Sequence, residues 1–306
     1  MQITIRQLQI FEAIVETHSY SHAAEYLHMT QPAVSMQMKQ LERNIGLVLL
    51  ERRGKRIELT DSGKRIHKYI HEFVKQYDDL LEGIQEEKEK GTGRIKVSAA
   101  TTANHLITQM IANFAKTHSN ISVALEITNR RKLIDQLQKF EPDIVIMGEP
   151  PAKLDLEFDI LIPNPLVMIS HSSHSLANKK TIGFDEVSQY EFIAREQGSG
   201  TRMAIERFFK EQKAEFKSNL EMGSNEAIKH AVIAGLGLGI VSLHTIKLEL
   251  EAKKLVILDA EHFPLERYWY IIRRKGKHLL PAVKSFQDFV LKEAKVYAKD
   301  YERFVQ

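Results

Sequence analysis

Residues 21–42 constrain this chain more than any other stretch. They read Ser21-His22-Ala23-Ala24-Glu25-Tyr26-Leu27-His28-Met29-Thr30-Gln31-Pro32-Ala33-Val34-Ser35-Met36-Gln37-Met38-Lys39-Gln40-Leu41-Glu42. Ala23, Ala24 and Leu27 share one helical face, and Val34, Met38 and Leu41 recur at helical spacing beyond a break, so two short helices joined by a turn are expected. Thr30 suits the N-cap of the second helix, and Pro32 falls in its first turn, where a missing N–H costs nothing. With Val34, Met38 and Leu41 turned inward, Ser35, Met36, Gln37 and Lys39 must point elsewhere. A helix-turn-helix offers such side chains to a DNA groove. Any two packed helices share part of this pattern, so the flanking segments decide.

Upstream, Leu8, Phe11, Ile14 and Val15 form the buried face of a helix over residues 6–16, and Ser19-Tyr20-Ser21 turns the chain and supplies an N-cap. Downstream, Gly46 allows a left-handed end to the recognition helix. Residues 47–60 read as two short strands turning at Gly54, and four of the five residues from 52 to 56 are cationic: Arg52, Arg53, Lys55 and Arg56. A merely solvated hairpin tip is the alternative. A basic tip directly after a helix-turn-helix is better explained as a wing that grips phosphates or the minor groove.

Thr60-Asp61-Ser62-Gly63 opens a long helix expected to run to about Lys90. Its apolar residues Ile66, Ile70, Phe73, Tyr77, Leu80 and Ile84 alternate spacings of four and three, the heptad signature of a coiled-coil seam. One reading is a helix lying on its own domain; the preferred one is a dimerisation helix. The run from Glu86 to Gly93 ends in glycines and reads as a linker.

From Arg94 the pattern changes to alternating strands and helices. Strands are expected at 95–100, 121–128 and 143–147 with helices at 103–117 and 130–141, an order that implies a parallel sheet covered by helices. A second unit follows, with strands at 166–169 and 192–194 and helices at 201–213 and 225–235; a strand at 268–272 and a helix from about 280 to 297 close the chain. Two α/β lobes with a cleft between them is the simplest architecture.

Composition bounds this reading. A chain of 306 residues suits about two or three domains, and 43% hydrophobic with 27% charged residues fits an ordinary globular protein. A net charge of +3 does not argue for nucleic acid by itself; the clustering of cations does. The absence of cysteine excludes disulfides and thiolate metal sites, and neither a membrane span nor a signal peptide is evident, so a cytoplasmic location is expected.

The first ~65 residues resemble the winged helix-turn-helix of LysR-type transcriptional regulators. The resemblance is carried by Arg6-Gln7-Leu8, Ser21 to Ala24, Thr30-Gln31-Pro32-Ala33-Val34-Ser35, Gln40-Leu41-Glu42 and Leu59-Thr60-Asp61-Ser62-Gly63, in order and in spacing. That family carries a linker helix and a two-lobed effector domain resembling periplasmic binding proteins, so the implied fold class is α/β with an all-α/winged N-terminal module. Within it, the chain looks most like the CbbR-type regulators of CO2-fixation operons, through Ser35-Met36-Gln37, Gly54-Lys55-Arg56, Ile146-Met147-Gly148, Pro150-Pro151, Arg195-Glu196, Gly198-Ser199-Gly200-Thr201-Arg202 and Asn225-Glu226-Ala227-Ile228-Lys229. That subgroup usually has arginine where this chain has Glu149, which reverses a charge near the expected cleft.

The resemblance implies a domain order of winged module (1–60), linker or dimerisation helix (61–92) and effector domain (93–306). Lobe I would take about 93–163 and 267–306, and lobe II about 164–266. DNA-contacting candidates are Ser21, Thr30, Gln31, Pro32, Ser35, Met36, Gln37, Lys39, Arg52, Arg53, Lys55 and Arg56. Gln37 is suited to reading a base edge bidentately, Ser35 to phosphate or base, and Met36 to apolar contact with a thymine methyl where many relatives place arginine. The wing cations are assigned to backbone and minor groove. Effector-binding candidates are Ser98, Thr101, Thr102, Asn129, Arg130, Gly148, Glu149, Arg195, Gly198, Ser199, Gly200, Thr201 and Arg202. The 198–202 glycines before a helix let backbone N–H groups converge on an anion, with a plain structural turn as the alternative.

Other motifs carry less. Gly235-Leu236-Gly237-Leu238-Gly239 follows a helix and enters a strand, the reverse of a dinucleotide fingerprint. His171 and His174 lack carboxylate support for a metal, and Ser199 lacks a hydrolase frame and a base. The Trp269-Tyr270 strand is read as core or hinge. The expectation is therefore a DNA-binding transcriptional regulator, activator or repressor, not an enzyme, without catalytic residues, metal or cofactor. It senses a small anionic metabolite and acts on double-stranded DNA as a homodimer or homotetramer, with RNA polymerase a further candidate partner. An α/β enzyme and a structural DNA-binding protein without effector response are the rivals.

Overall fold

A capping box starts the first helix of the computed structural model. At α1 (Ile5–Thr17), Thr4 Oγ1 accepts from the Gln7 N–H at 3.3 Å and Gln7 Oε1 accepts from the Thr4 N–H at 3.1 Å. The structure describes residues 3–54, 56–88, 92–277 and 279–305. They fall into two units, Met1–Lys88 and Glu89–Gln306.

In the first unit, Ser19 caps α2 (Tyr20–Tyr26), and α3 (Gln31–Ile45) follows. Thr30 stands at the N-cap of α3, but its hydroxyl makes no capping bond, and Gly46 at φ 76° ends the helix. Strands β1 (Leu50–Arg53) and β2 (Arg56–Leu59) pair antiparallel, with Leu50 opposite Leu59 and Arg53 opposite Arg56. Thr60 Oγ1 then accepts from the Gly63 N–H at 2.9 Å and starts α4 (Asp61–Lys88). Gly63 is required there, because a Cβ would meet the Leu49 carbonyl oxygen at 2.1 Å.

Ile10, Phe11, Ile14, Ala23, Val34, Met38, Leu41, Leu49 and Ile70 form one core, with Ile66 and Val74 packed against it. The heptad stripe of α4 therefore serves two ends. Its first turns complete the core of the winged module, while Phe73, Leu80 and Ile84 are exposed. The reading of a helix lying on its own domain therefore holds for the first turns of α4, while the later apolar residues have no partner within the winged core.

In the second unit β3 (Gly93–Ala100) runs into a 3-10 turn at Thr101–Ala103 and then α5 (Asn104–Thr117), β4 (Ile121–Thr128), α6 (Arg130–Gln138), β5 (Ile144–Met147) and β6 (Leu156–Pro163). The chain crosses to a second sheet through β7 (Leu166–His171), α7 (Phe184–Val187), β8 (Phe192–Arg195), α8 (Gly200–Glu211), β9 (Leu220–Met222), α9 (Asn225–Ile233), β10 (Leu238–Ser242), α10 (Lys247–Glu251) and β11 (Leu255–Ile257). It returns as β12 (Tyr268–Arg274) and ends in α11 (Pro281–Val305).

The sheets are ordered β4-β3-β5-β12-β6 and β11-β7-β10-β8-β9. Neither is wholly parallel, contrary to the expectation. Strand β12 runs antiparallel to β5 and β6, and β7 runs antiparallel to β10 and β11. A strand that arrives from the other lobe enters the sheet from its opposite end, so it cannot continue the βαβ direction. The edge strand β6 was not anticipated, because its Phe158 and Ile160 are exposed and its Asp159 and Pro163 weaken the strand signal. Each lobe has its own core. Ile95, Val97, Phe114, Ile146, Trp269 and Phe286 anchor the first, and Met168, Phe184, Phe192, Phe209 and Ile240 the second.

Candidate DNA-reading helix and effector cleft

On α3, Thr30, Gln31, Pro32, Met36 and Lys39 are exposed and Ser35 and Gln37 half-buried, whereas Val34, Met38 and Leu41 are buried. The inward and outward faces thus divide as the helical spacing requires. Ser21 is exposed in the first turn of α2. Gln37 Oε1 accepts from Gln7 Nε2 at 3.3 Å, so α1 orients the amide while the Gln37 Nε2 donors stay available. Met36, a large apolar side chain, is 64% exposed on this outward face.

The wing cations are not equivalent. Arg53 Nε lies 3.0 Å from Glu51 and 3.6 Å from Glu58, so two carboxylates of the hairpin already offset its charge. Arg52 donates to the Gly54 carbonyl at 3.2 Å. Arg56 is exposed and has no ion pair among the described residues, and Lys55 lies outside them.

In the second unit a cavity of about 410 Å³ opens between the lobes at the carboxyl ends of β3 and β5. Thr101, Thr102, Asn129, Arg130, Gly148, Glu149, Arg195, Ser199, Gly200 and Thr201 line it. Asn129 is there because it caps α6, accepting from the Lys132 N–H at 3.1 Å. Ser199 is there because it caps α8, accepting from the Thr201 N–H at 3.2 Å. The start of α8 therefore points its partial positive charge at the cavity wall.

Three guanidinium groups, those of Arg130, Arg207 and Arg267, meet two carboxylates, Glu149 and Glu266, around this cavity. Arg130 donates to the Glu149 carbonyl, and Arg207 pairs with the Glu149 carboxylate at 3.3 Å. Arg267 Nη1 is sealed from solvent without a hydrogen-bond partner. Burial, together with repulsion from Arg130 and Arg207, pushes the Arg267 pKa down to about 10 despite Glu149. Gly148 makes room for it, since a Cβ there would lie 2.8 Å from Arg267 Nη2.

Several expected cleft residues do other work. Ser98 is buried inside β3, because the strand continues to Ala100 and its carboxyl end is Thr101. Gly198, at φ 87°, packs on Arg131 away from the cavity. Arg202 pairs with Glu206 at 2.7 Å and with Glu221, and donates to the Arg195 carbonyl at 2.9 Å. Arg195 does reach the cavity, but it is 1% exposed and its donors are committed: to Glu196 at 2.7 and 3.0 Å, Asn225 at 2.9 Å and Thr101 at 3.1 Å. It bridges the lobes rather than offering a free cation.

A second cavity of about 630 Å³ shares Thr101 and is lined by His105, Lys229, His244 and Glu249. It is larger, but Lys229 is paired there with Glu226 at 2.7 Å and Glu249 at 2.9 Å. Unsatisfied positive charge thus belongs to the first cavity.

Comparison with known proteins agrees with this architecture. The family profile "LysR substrate binding domain" matches residues 88–295, and "Bacterial regulatory helix-turn-helix protein, lysR family" matches residues 5–64. The chain belongs to the LysR family. Along its length this LysR-family chain is 43% identical to the RuBisCO operon transcriptional regulator of Allochromatium vinosum, over 96% of this chain and 97% of that one. It is 37% identical to the HTH-type transcriptional activator CmpR of Synechocystis, over 94% of each. Its second unit resembles the regulatory domain of Synechocystis CcmR solved in complex with 2-PG: TM-score 0.65, 36% identity, 67% of this chain and 98% of that one. The CO2-fixation subgroup read from the sequence therefore holds, and the chain is a DNA-binding transcriptional regulator rather than an enzyme.

The cleft of this LysR regulator also contains residues that sequence reasoning missed. Met203, Ala204 and Arg207 line it together with Gly200. Their spacing of three, four and seven was available once α8 was placed. Arg267 had no such signal. It stands just before the Tyr268-Trp269-Tyr270 strand, and only the return of β12 into the first sheet brings it to Gly148. No helix among the described residues is long and apolar enough to cross a membrane.

Proposed function

We propose that this LysR-family regulator senses a small phosphate- or carboxylate-bearing metabolite in the 410 Å³ cleft and thereby activates a CO2-fixation operon. The observation that carries the reading is the Arg267 guanidinium, half-enclosed, with Nη1 unpartnered and its cationic form disfavoured by its surroundings. A buried unsatisfied donor costs about 1–3 kcal/mol, and more when charged, so an anion is the ligand that this site lacks. Ser199, Thr201 and the start of α8 add donors from lobe II, and Thr101, Thr102, Asn129 and Arg130 add polar groups from lobe I. Glu149 does not oppose this, because Arg207 already holds its carboxylate. The 2-PG found with the CcmR domain and the role named for the Allochromatium vinosum protein support the same chemistry and target.

On the DNA side, Gln37, Ser35 and Met36 read base edges. Ser21, Thr30, Gln31, Pro32, Lys39, Arg52, Lys55 and Arg56 position the module on the backbone, with Arg53 contributing less because of Glu51 and Glu58. The exposed Phe73, Leu80 and Ile84 of α4 pair with a second copy, giving a dimer for a two-part operator; dimers associate further into a tetramer that contacts RNA polymerase.

The test is thermal unfolding of the intact protein with phosphoglycolate, with 3-phosphoglycerate and with glycerol as an uncharged control. Saturable stabilisation by the phosphorylated acids alone, absent from a Thr101→Val/Thr201→Val double variant, is expected. Equal shifts in both proteins would remove the site.

A further inference from the structure

The first unit contains a cluster that neither DNA reading nor effector sensing uses. Glu12 of α1 lies between His67 and His71 of α4, and one ligating atom from each falls within 4.8 Å of the others. His67 and His71 are four residues apart, so both rings emerge from one face of the helix. Glu12 Oε2 is 2.7 Å from His71 Nδ1, and Glu12 Oε1 is 3.1 Å from His67 Nε2.

The second contact has an unusual geometry. Glu12 Oε1 is sealed from solvent and makes no hydrogen bond, although the imidazole nitrogen is so close. Oxygen and nitrogen are thus near neighbours with no hydrogen bond between them, an arrangement that leaves room for a shared third partner.

We propose that Glu12, His67 and His71 form a divalent transition-metal site, best suited to Zn²⁺, that fastens α4 to α1 of the winged module. Two imidazoles and one carboxylate are a common three-ligand Zn²⁺ set, with water as the fourth ligand. Zn–N and Zn–O bonds of about 2.0–2.1 Å at tetrahedral angles separate ligand atoms by roughly 3.3 Å; the two Glu12–histidine contacts, at 2.7 and 3.1 Å, lie near that spacing, and all three ligand atoms fall within 4.8 Å of one another. His67 and His71 keep partial solvent contact, 27% and 17% of their side chains, which supplies an entry path and the water position. The chain has no cysteine to compete for the ion. The competing arrangement is a metal-free ion pair between Glu12 and protonated histidines.

The consequence would be local and mechanical. Helix α1 touches α2 and α3, and α4 leaves the module from α1, so an ion at this joint sets how firmly the long helix is fixed to the DNA-reading fold.

The test uses the full-length, tag-free chain, stripped with EDTA and titrated with Co²⁺ as a visible reporter. One Co²⁺ per chain with tetrahedral d–d absorption, displaced by Zn²⁺, is expected. Glu12→Gln and His71→Gln should weaken binding by about tenfold or more, while a His171→Gln/His174→Gln control leaves it unchanged. Far-UV circular dichroism of metal-free variants separates loss of the site from loss of the fold. Zn²⁺ should also raise the unfolding temperature of the unaltered chain, a measurement that needs no variant. A chain that takes up no Co²⁺ at micromolar concentration, or one whose spectrum survives Glu12→Gln, would overturn the site.

Discussion

Replacing Arg267 by methionine should make the unliganded regulator more stable and its effector response weaker. The fall of the Arg267 pKa from the ordinary guanidinium value to about 10, at about 1.4 kcal/mol per pH unit, corresponds to about 3 kcal/mol by which the cleft disfavours its own cation. Residual water at the cleft mouth screens part of this, so ~1–2 kcal/mol should reach the stability of the unliganded protein. The sign follows from linkage. A basic group with a depressed pKa carries its full penalty below the folded pKa, and the penalty fades only as pH rises from about 10 towards the ordinary guanidinium value. Across the neutral range it is constant, and only an anion can relieve it.

For a unit of this size 1 kcal/mol moves the unfolding temperature by roughly 2–4 °C. The Arg267→Met protein should therefore melt ~2–8 °C higher without ligand. With phosphoglycolate at 100 times its Kd, the unaltered protein gains about 2.7 kcal/mol. The variant should gain almost nothing, because removing one partner of an enclosed charge pair costs about 3–5 kcal/mol. The two melting curves thus exchange order on adding ligand. Scanning calorimetry with a far-UV check of fold is the assay. A variant that melts lower without ligand, and still shifts normally with it, would refute the argument that Arg267 is an anion-seeking cation.

Three further outcomes follow from the same geometry. Gln37→Ala should lose about 1–3 kcal/mol on the cognate site with relaxed preference at one base pair, while Arg56→Ala should weaken all sequences alike and lower the salt slope by about 1, read by fluorescence anisotropy on cognate and scrambled duplexes. Gly148→Ala places a Cβ 2.8 Å from Arg267 Nη2, so the guanidinium must swing aside: ligand affinity should fall at least about tenfold with the fold intact, as titration calorimetry would register. His244 is buried and its pKa is pushed down to about 4, chiefly by burial. Its unfolded form therefore takes up a proton first, and about 3 kcal/mol present above pH 6.5 should drain away between 6.5 and about 4. His244→Gln should flatten that part of the urea-denaturation profile, and an unchanged slope would exclude His244 as its source.

What could be read from the sequence was local in origin. Val34, Met38 and Leu41 repeat at helical spacing, Gly46 and Gly54 mark places where the backbone takes a positive φ, and Thr60 with Gly63 announces a helix start. Each signal lies within a turn or two of the residue it describes. The α4 stripe was legible as a stripe, but spacing alone cannot tell Ile70, which packs on the winged core, from Leu80, which does not. The cleft was legible only where a motif crossed it. Thr101, Asn129 and Gly200 open turns or helices at strand ends and were found. Arg195 looked like a ligand cation, because sequence shows the charge and not the Glu196, Asn225 and Thr101 groups that consume it. Arg267 was invisible for the converse reason, since its importance lies in lacking a partner. Glu12 with His67 and His71 is the same case at longer range: the histidine spacing is visible, but the carboxylate comes from another helix.

In the effector response proposed above, coupling between the lobes would turn on Thr101. It belongs to the turn after β3, and its hydroxyl oxygen accepts from Arg195 of β8 at 3.1 Å, so the two lobes are bridged without any ligand. A hydroxyl that accepts through its oxygen keeps its proton to donate. An anion bound to Thr101 therefore extends the Arg195 bridge instead of competing with it. In the proposed site its remaining contacts would divide between lobe I, through Arg130 and Asn129, and lobe II, through Thr201 and the start of α8, and an open cleft would satisfy only one side at a time. A ligand shifts conformation only by its difference in affinity for two states. Moving a population from 1:99 to 99:1 requires about 5.5 kcal/mol, and two or three charge-assisted hydrogen bonds at about 1.5–3 kcal/mol each supply that difference. The proposed switch would thus need no contact beyond those the cleft already presents, provided that the ligand is anionic; a neutral molecule of the same shape would have to form roughly twice as many hydrogen bonds in the same 410 Å³.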